Sequence, residues 1–224
     1  MSEQERHDPV GEASRRSAQS LTGTSALVLP EFDHPPDEPI ALLKQWLNTA
    51  EAYGVSEPYA FVLGTADADG RPSSRVVLLK DTTDQALIVG TASASRKGRE
   101  INDNSWVSAT FHWRETVQQI TVTGQANARP KARSDELFAE RPRAAQIAAV
   151  VSRQSTPLTD ERDLLNRASH MMVSDETVQR PPDWHAYEIV VDRIEFWHGR
   201  ADRLHRRLEY HREADGWSHR RLQP

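Results

Sequence analysis

Tyr59-Ala-Phe-Val-Leu-Gly-Thr65 and Ser74-Arg-Val-Val-Leu-Leu-Lys80 flank a polar connection that contains Asp69-Gly70. Both runs are rich in β-branched, aromatic and other apolar residues. Asp-Gly between two such runs is a strong hairpin signal, because glycine adopts positive φ at low steric cost. The pair predicts two antiparallel strands, and the chain on the C-terminal side repeats the theme. Ala86–Val89, Trp106–Trp113, Gln118–Ala126, Trp184–Asp192, Ile194–Trp197, Glu209–Arg212 and Trp217–Leu222 read as further strands, the last two joined by a second turn at Asp215-Gly216. Between them, Ser95–Asn104, Ser134–Ala139, Ala144–Val151 and Thr159–Met172 have helical character. Many short strands with a few inserted helices predict an α+β, mainly β protein built on an antiparallel barrel with peripheral helices.

On the N-terminal side, Asp37-Glu38-Pro39 reads as a helix start with Asp37 as N-cap and Pro39 in the first turn. Ile40, Leu43, Leu47 and Ala50 follow at helical spacing, and Gly54 marks the end. Residues 1–36 are rich in Ser, Glu, Arg and Pro, with a short apolar patch at Ala26–Pro30, and are set apart as a flexible arm. Residues 37–224 form the second unit, the barrel domain.

Composition excludes several classes of function. A formal charge of −5 argues against a general nucleic-acid binder, which needs cations to neutralise phosphates. The absence of cysteine removes disulfides, thiolate metal sites and cysteine nucleophiles, and suits a reducing cytoplasm. No apolar run approaches the ~20 residues of a membrane span, and residues 1–20 lack the apolar stretch of a signal peptide. Glycine-rich dinucleotide and Walker loops, HExxH and GxSxG are all missing. His198, His205, His211 and His219 gather near the C-terminus without acidic partners at ligand spacing, so no metal site is expected.

The positive signal is a set of cations and amides at strand ends. Arg75 and Lys80 close the two ends of the apolar run Val76-Val77-Leu78-Leu79. Thr91-Ala-Ser-Ala-Ser95 runs into Arg96-Lys97 at a helix start. Backbone N–H groups there, joined by Arg and Lys, can hold a phosphate dianion; taken singly, the same residues also suit a solvated helix end. Gln119 lies in an otherwise apolar strand and should seek a hydrogen-bond partner: a cross-strand group, solvent or a ligand. Gln154-Ser155 supplies a similar donor and acceptor in a loop.

In this order, the segments resemble the pyridoxamine 5′-phosphate oxidase family of FMN enzymes, from about Pro39 to the C-terminus. The motifs that carry the resemblance are Arg75–Lys80, Ser95-Arg96-Lys97, Arg141-Pro142-Arg143, Val151–Ser155, Ile194–Trp197, Arg203–Arg207 and Arg221–Pro224. The resemblance implies an FMN-binding split β-barrel that works as a homodimer, with two FMN sites at the subunit interface. It suggests Arg75, Lys97 and Ser155 for the flavin phosphate, with Thr91, Ser95 and Arg96 beside them. Gln119 and Gln154 would serve the flavin by hydrogen bonds, and the backbone of Val76, Val77 and Leu78 would run along the ring, with Lys80 at its end. Trp197 and Arg207 would come from the other subunit.

On the substrate side, the vitamin-B6 enzymes of the family grip a phosphate with a lysine, a tyrosine, an arginine and a serine. Here Lys80 and Arg141 keep the cations, whereas Leu137 and Ala145 stand where the two hydroxyls would be. That exchange looks like the phenazine-biosynthesis branch, whose substrates carry carboxylates on apolar rings. Arg203 and His205 match the motif that faces the flavin and are the candidates for orienting the substrate, His205 also as a proton acceptor. The implied activity is the oxidation of reduced di- or tetrahydrophenazine carboxylic acids by hydride transfer to FMN, with dioxygen as the final acceptor, in the cytoplasm. The alternatives are a pyridoxine/pyridoxamine 5′-phosphate oxidase and a non-catalytic flavin-binding split-barrel module.

Overall fold

The computed structural model describes residues 23–24 and 27–224, and most of the segment set apart as an arm lies outside them. The order is a single 3₁₀ turn at Pro30–Phe32, α1 (Pro39–Ala52), β1 (Ala60–Ala66), β2 (Pro72–Leu78), β3 (Asp81–Thr82) and β4 (Ala86–Ala92). Then come α2 (Arg96–Asp103), β5 (Trp106–Trp113), β6 (Gln118–Ala128), α3 (Lys131–Ala139), α4 (Arg143–Val151) and α5 (Glu161–Val173). Strands β7 (Trp184–His198), β8 (Arg206–Glu213) and β9 (Gly216–Arg221) complete the chain.

All nine strands join one antiparallel sheet in the order β2-β1-β5-β6-β7-β4-β3, with β8 branching from β7 and β9 from β8. The expected hairpin forms between β1 and β2, pairing Phe61 with Val77 and Leu63 with Arg75, and Gly70 takes φ +79° in its turn. The sheet curls upon itself. Leu79 N–H bonds to Tyr59 O near β1, and the next amide, Lys80 N–H, bonds to Ile88 O in β4, so the two ends of the strand order meet at one stretch of chain.

Two expected strands, Trp184–Asp192 and Ile194–Trp197, are one. In the first half of β7 the buried alternation falls on Ile189 and Val191; in the second it falls on Ile194 and Phe196. One extra residue at Asp192 changes the parity, and the pairing with β6 shifts register between Thr123 and Gly124. The apparent gap in the sequence is therefore a β-bulge, which bends the strand and lets both halves face the core. A Cβ at Gly124 would stand 2.1 Å from Val190 O, so the bulge needs glycine there.

The core lies inside the curl. Phe61, Leu63, Ala109, Phe111, Ile120, Val122, Ile194, Phe196, Leu208 and Tyr210 are almost completely buried, and α1 closes one side with Leu42, Leu43, Trp46 and Ala50. The helix starts at Pro39 as expected, but Asp37 is not its cap. Glu38 holds that position, with no side-chain cap hydrogen bond, and the prolyl N1 lacks one of the amides that a cap would satisfy. Of the residues assigned to the arm, Leu29 and Phe32 are buried in the core, and the guanidinium groups of Arg206 and Arg221 stack on the Phe32 ring at 4.6 and 5.1 Å. A second, smaller core of Phe138, Ile147, Val151, Val178 and Trp184 lies under helices α3–α5. Among the described residues, no helix is long and apolar enough to cross a membrane.

Candidate functional site

The residues singled out from sequence fall into three groups. The first gathers around the start of α2. Ser95 caps that helix, accepting from Gly98 N–H at 3.2 Å, and Gly98 is required because a Cβ would meet the backbone of Ala92 and Ser93 at 2.4–2.6 Å. The tight turn brings Thr91, Ser95, Arg96 and Lys97 against the loop after α4. There Ser155, at φ +70°, accepts from Arg96 N–H at 3.1 Å, and Gln154 Oε1 accepts from Lys97 Nζ at 3.1 Å and from Thr91 Oγ1 at 3.4 Å. Gln154 thus belongs with the cations and stands apart from Gln119.

Arg75 reaches the same neighbourhood from β2. Its Nη1 donates to Leu63 O at 3.2 Å and Thr65 Oγ1 at 2.6 Å, and its Nη2 to Ser73 Oγ at 2.5 Å and Glu100 at 3.3 Å. Glu100, only 4% exposed, was not anticipated; it also accepts from Thr65, Ser73 and Arg96 Nε. Burial pushes its carboxyl up, but the bonds from Ser73, Thr65 and Arg96 outweigh this and bring it down to about 2. The signal in the sequence was the Arg96–Glu100 spacing of four in a helix, which is common on any exposed helix and therefore carries little weight.

Lys97 decides what this group can bind. Its ammonium is buried and faces an amide oxygen, with no carboxylate bonded to it among the described residues. Burial, with a smaller contribution from the charge of Arg75, brings its pKa down to about 8. Glu100 balances the arginines, so the lysine is left as an under-compensated cation beside hydroxyls and a helix N-terminus. That donor set fits a phosphate dianion.

The second group lies at the α3–α4 junction. The Arg141 guanidinium packs over the rings of Phe138 and Trp184, at 5.6 and 5.0 Å, and its Nη1 is buried with no hydrogen-bond partner among the described residues. Burial pushes its pKa down. Leu137 packs onto the same apolar cluster and Ala145 is half-buried one turn into α4. Lys80 is exposed beside Tyr59, Leu47 and Asp81, and no contact links it to Arg141.

The third group lies on the sheet's outer face and on the β7–β8 connection. Gln119, Trp197 and Arg207 stand in register across β6, β7 and β8. Gln119 Nε2 donates to Thr121 Oγ1 at 3.3 Å, and Arg207 forks onto Glu195 at 2.6 and 3.0 Å. His205 packs on Trp197, with ring centroids 4.8 Å apart, and Arg203 takes φ +65° just before it. In the first group Thr91 pairs with His185 of β7, twelve residues before Trp197 on the same strand. At about 3.3 Å per residue this is at most ~40 Å along a strand that the bulge bends, whereas Arg75 of the first group is linked through Leu63 and Ala109 to Val122, three residues from Gln119.

Val76 and Leu78 of β2, on the sheet edge, are 66% and 44% exposed, and Val62 beside them 42%. They leave an apolar band on the outer face, and Trp106 is exposed on the neighbouring β5. Among the described residues, no cluster of His, Asp or Glu is placed to hold a metal ion.

Comparison with known proteins places the chain in a family. Residues 48–198 match the pyridoxamine 5′-phosphate oxidase family model, and residues 184–224 match the pyridoxine 5′-phosphate oxidase C-terminal dimerisation region. The dihydrophenazinedicarboxylate synthase of Pseudomonas chlororaphis is 42% identical over 207 residues, covering 92% of this chain and 93% of that protein. The pyridoxine/pyridoxamine 5′-phosphate oxidase of Rubrobacter xylanophilus is also 42% identical, over 194 residues, covering 86% and 89%. PhzG of Burkholderia lata 383, solved in complex with tetrahydrophenazine-1-carboxylic acid, superposes with a TM-score of 0.88 at 40% identity, over 90% of this chain and 100% of that one. By fold, by motif and by sequence along most of its length, the chain is a member of the pyridoxamine 5′-phosphate oxidase family.

Proposed function

We propose that this protein is an FMN-dependent oxidase of phenazine biosynthesis, acting on reduced phenazine carboxylic acids as a homodimer of split barrels in the cytoplasm. The observation that carries the choice of substrate is the pair Leu137 and Ala145 beside Arg141, a cation that both branches share. A buried guanidinium with an unpartnered Nη1, stacked on two aromatic rings, is a receptor for an anion attached to a flat apolar body. Leu137 and Ala145 beside it offer no hydroxyl. A phosphate monoester needs several donors, whereas a carboxylate is satisfied by one guanidinium fork. Identity alone does not choose, since the phenazine and vitamin-B6 relatives are equally similar at 42%. The high structural likeness to PhzG supports the phenazine reading.

Lys97, Arg96, Thr91, Ser95 and Ser155 would hold the phosphate of FMN, with Gln154 orienting the lysine and Arg75 adding its charge. When bound, the flavin supplies a two-electron acceptor that dioxygen can regenerate. Residues 184–224 match a dimerisation region, so Trp197 and Arg207, with Gln119 beside them, would meet the phosphate-binding group of a second copy, with the apolar band of Val62, Val76 and Leu78 buried between the copies, giving two shared sites. In each, Arg141 and Lys80 bind the substrate's carboxylate, Arg203 and His205 orient its ring, and Trp197 excludes water.

The test is anaerobic bleaching of the flavin. Rapid bleaching by a freshly reduced phenazine carboxylic acid, with slow or no bleaching by pyridoxine 5′-phosphate, is expected. The reverse preference would return the protein to vitamin-B6 chemistry. Bleaching by neither would leave a binding module.

A further inference from the structure

We propose that His205 works as a hydrogen-bond donor through Nε2, its tautomer locked by the 200–205 turn, and that Asp202 is the positioning residue that holds this lock. The proposal rests on the function proposed above for what the donor meets, but its geometry stands by itself. The backbone N–H of Arg200 points at Nδ1 of His205 at 3.1 Å. A backbone amide can only donate, so Nδ1 must be the acceptor. A neutral imidazole then carries its proton on Nε2. Among the described residues Nε2 makes no hydrogen bond, so its N–H is available to a ligand.

The turn is built to keep that arrangement. Asp202 accepts from the Arg200 guanidinium at both carboxylate oxygens, at 2.7–3.2 Å, and from Leu204 N–H at 2.9 Å. Arg203 N–H bonds to Arg200 O, closing the turn with Arg203 in the left-handed region. Trp197 packs against the ring, centroids 4.8 Å apart and planes tilted by 44°. The ring is thus fixed by a donor on one nitrogen, an indole packed at an angle against it and a carboxylate-tied loop behind.

This removes one role for His205 and assigns another. Nε2 has no lone pair to take a proton from the substrate. Nδ1 could take one only by giving up the Arg200 amide, which would set two donors face to face. What remains is donation to an acceptor atom, such as a carboxylate oxygen or a ring nitrogen of a phenazine. It follows that glutamine, whose amide can place an N–H near the position of Nε2, should replace His205, and that alanine should not.

Two readouts test this. Long-range ¹H–¹⁵N spectra of the FMN-loaded wild-type protein, with His205 identified by its absence from H205Q, should show a protonated Nε2 and an unprotonated Nδ1. In D202A the same ring should become a mixture of tautomers. Titration of the oxidised holoenzyme with phenazine-1-carboxylic acid should leave H205Q within about threefold of wild type and weaken H205A by about tenfold, the worth of one lost neutral hydrogen bond. An Nδ1–H ring in the wild type, or H205Q as impaired as H205A, overturns the proposal. If the wild type binds no phenazine acid while the Nε2–H ring is found, the proposed substrate falls and the locked tautomer stands.

Discussion

Replacing Lys97 by methionine should stabilise the empty protein and weaken its hold on FMN. Lys97 is charged at neutral pH, but its folded-state pKa of about 8 lies below the usual 10.5. The difference amounts to ~3 kcal/mol against the folded state, and allowing for residual solvent access roughly 1–2 kcal/mol is retained. The sign follows from linkage. Below pH 8 the lysine is protonated in both folded and unfolded chains and the penalty is complete. Between about 8 and 10.5 the folded protein sheds the proton first, so the penalty fades as pH rises. At pH 7, K97M removes the penalty and keeps most of the apolar stem. The FMN-free variant should therefore melt roughly 2–6 °C above the wild type. Against FMN it should lose a charge-assisted hydrogen bond, ~1.5–3 kcal/mol or about 10- to 150-fold in Kd. Riboflavin, which lacks the phosphate, should bind both proteins alike. Calorimetry in buffers of different ionisation enthalpy should also show the wild type taking up a proton on binding FMN near pH 9, and K97M none. A destabilised empty K97M, or one whose preference for FMN over riboflavin is unchanged, would refute the assignment of Lys97 to the phosphate.

The carboxyl of Glu100 lies near 2 against the ordinary 4.5, so its contribution to stability is complete above pH 4.5 and lost as pH falls toward 2. E100Q should melt lower than wild type at pH 7, by an amount equivalent to about 2 kcal/mol, with the gap narrowing in melts taken between pH 4.5 and 3. Restoring hydroxyls beside Arg141 in L137Y/A145S should tighten pyridoxine 5′-phosphate by ~1–3 kcal/mol in total, read as its Kd for the oxidised holoenzyme; no gain would make those two positions irrelevant to the choice of substrate. Mixing and refolding K97M with R207A should regain about a quarter of wild-type sites, because only the mixed dimer has one site with both residues intact. No recovered flavin reduction in the mixture would argue that each site belongs to a single chain.

Much of this was legible in the sequence because its rules are local. The Asp69-Gly70 hairpin, α1 from Pro39 and the helix after Ser95 each rest on a few adjacent residues whose conformational preferences agree. The resemblance suggested cofactor and substrate residues from short motifs in the same way. The parity break at Asp192 escaped because a bulge has meaning only when a neighbouring strand supplies the register. Asp37 failed as a cap because the actual path of the backbone places Glu38 there.

The chain by itself determined which groups exist: cations and hydroxyls suited to a phosphate, an arginine in the Arg141-Pro142-Arg143 motif, and two missing hydroxyls. Only tertiary structure decided what state those groups are in. Burial and a nearby guanidinium turned Lys97 from an ordinary surface cation into one that needs an anion. Glu100, an unremarked helix residue, became the acceptor that ties Arg75 to Arg96. A single backbone amide fixed which nitrogen of His205 carries the proton. Charge state, tautomer and partnership depend on atoms brought together from distant parts of the chain, and local residue order does not encode those distances.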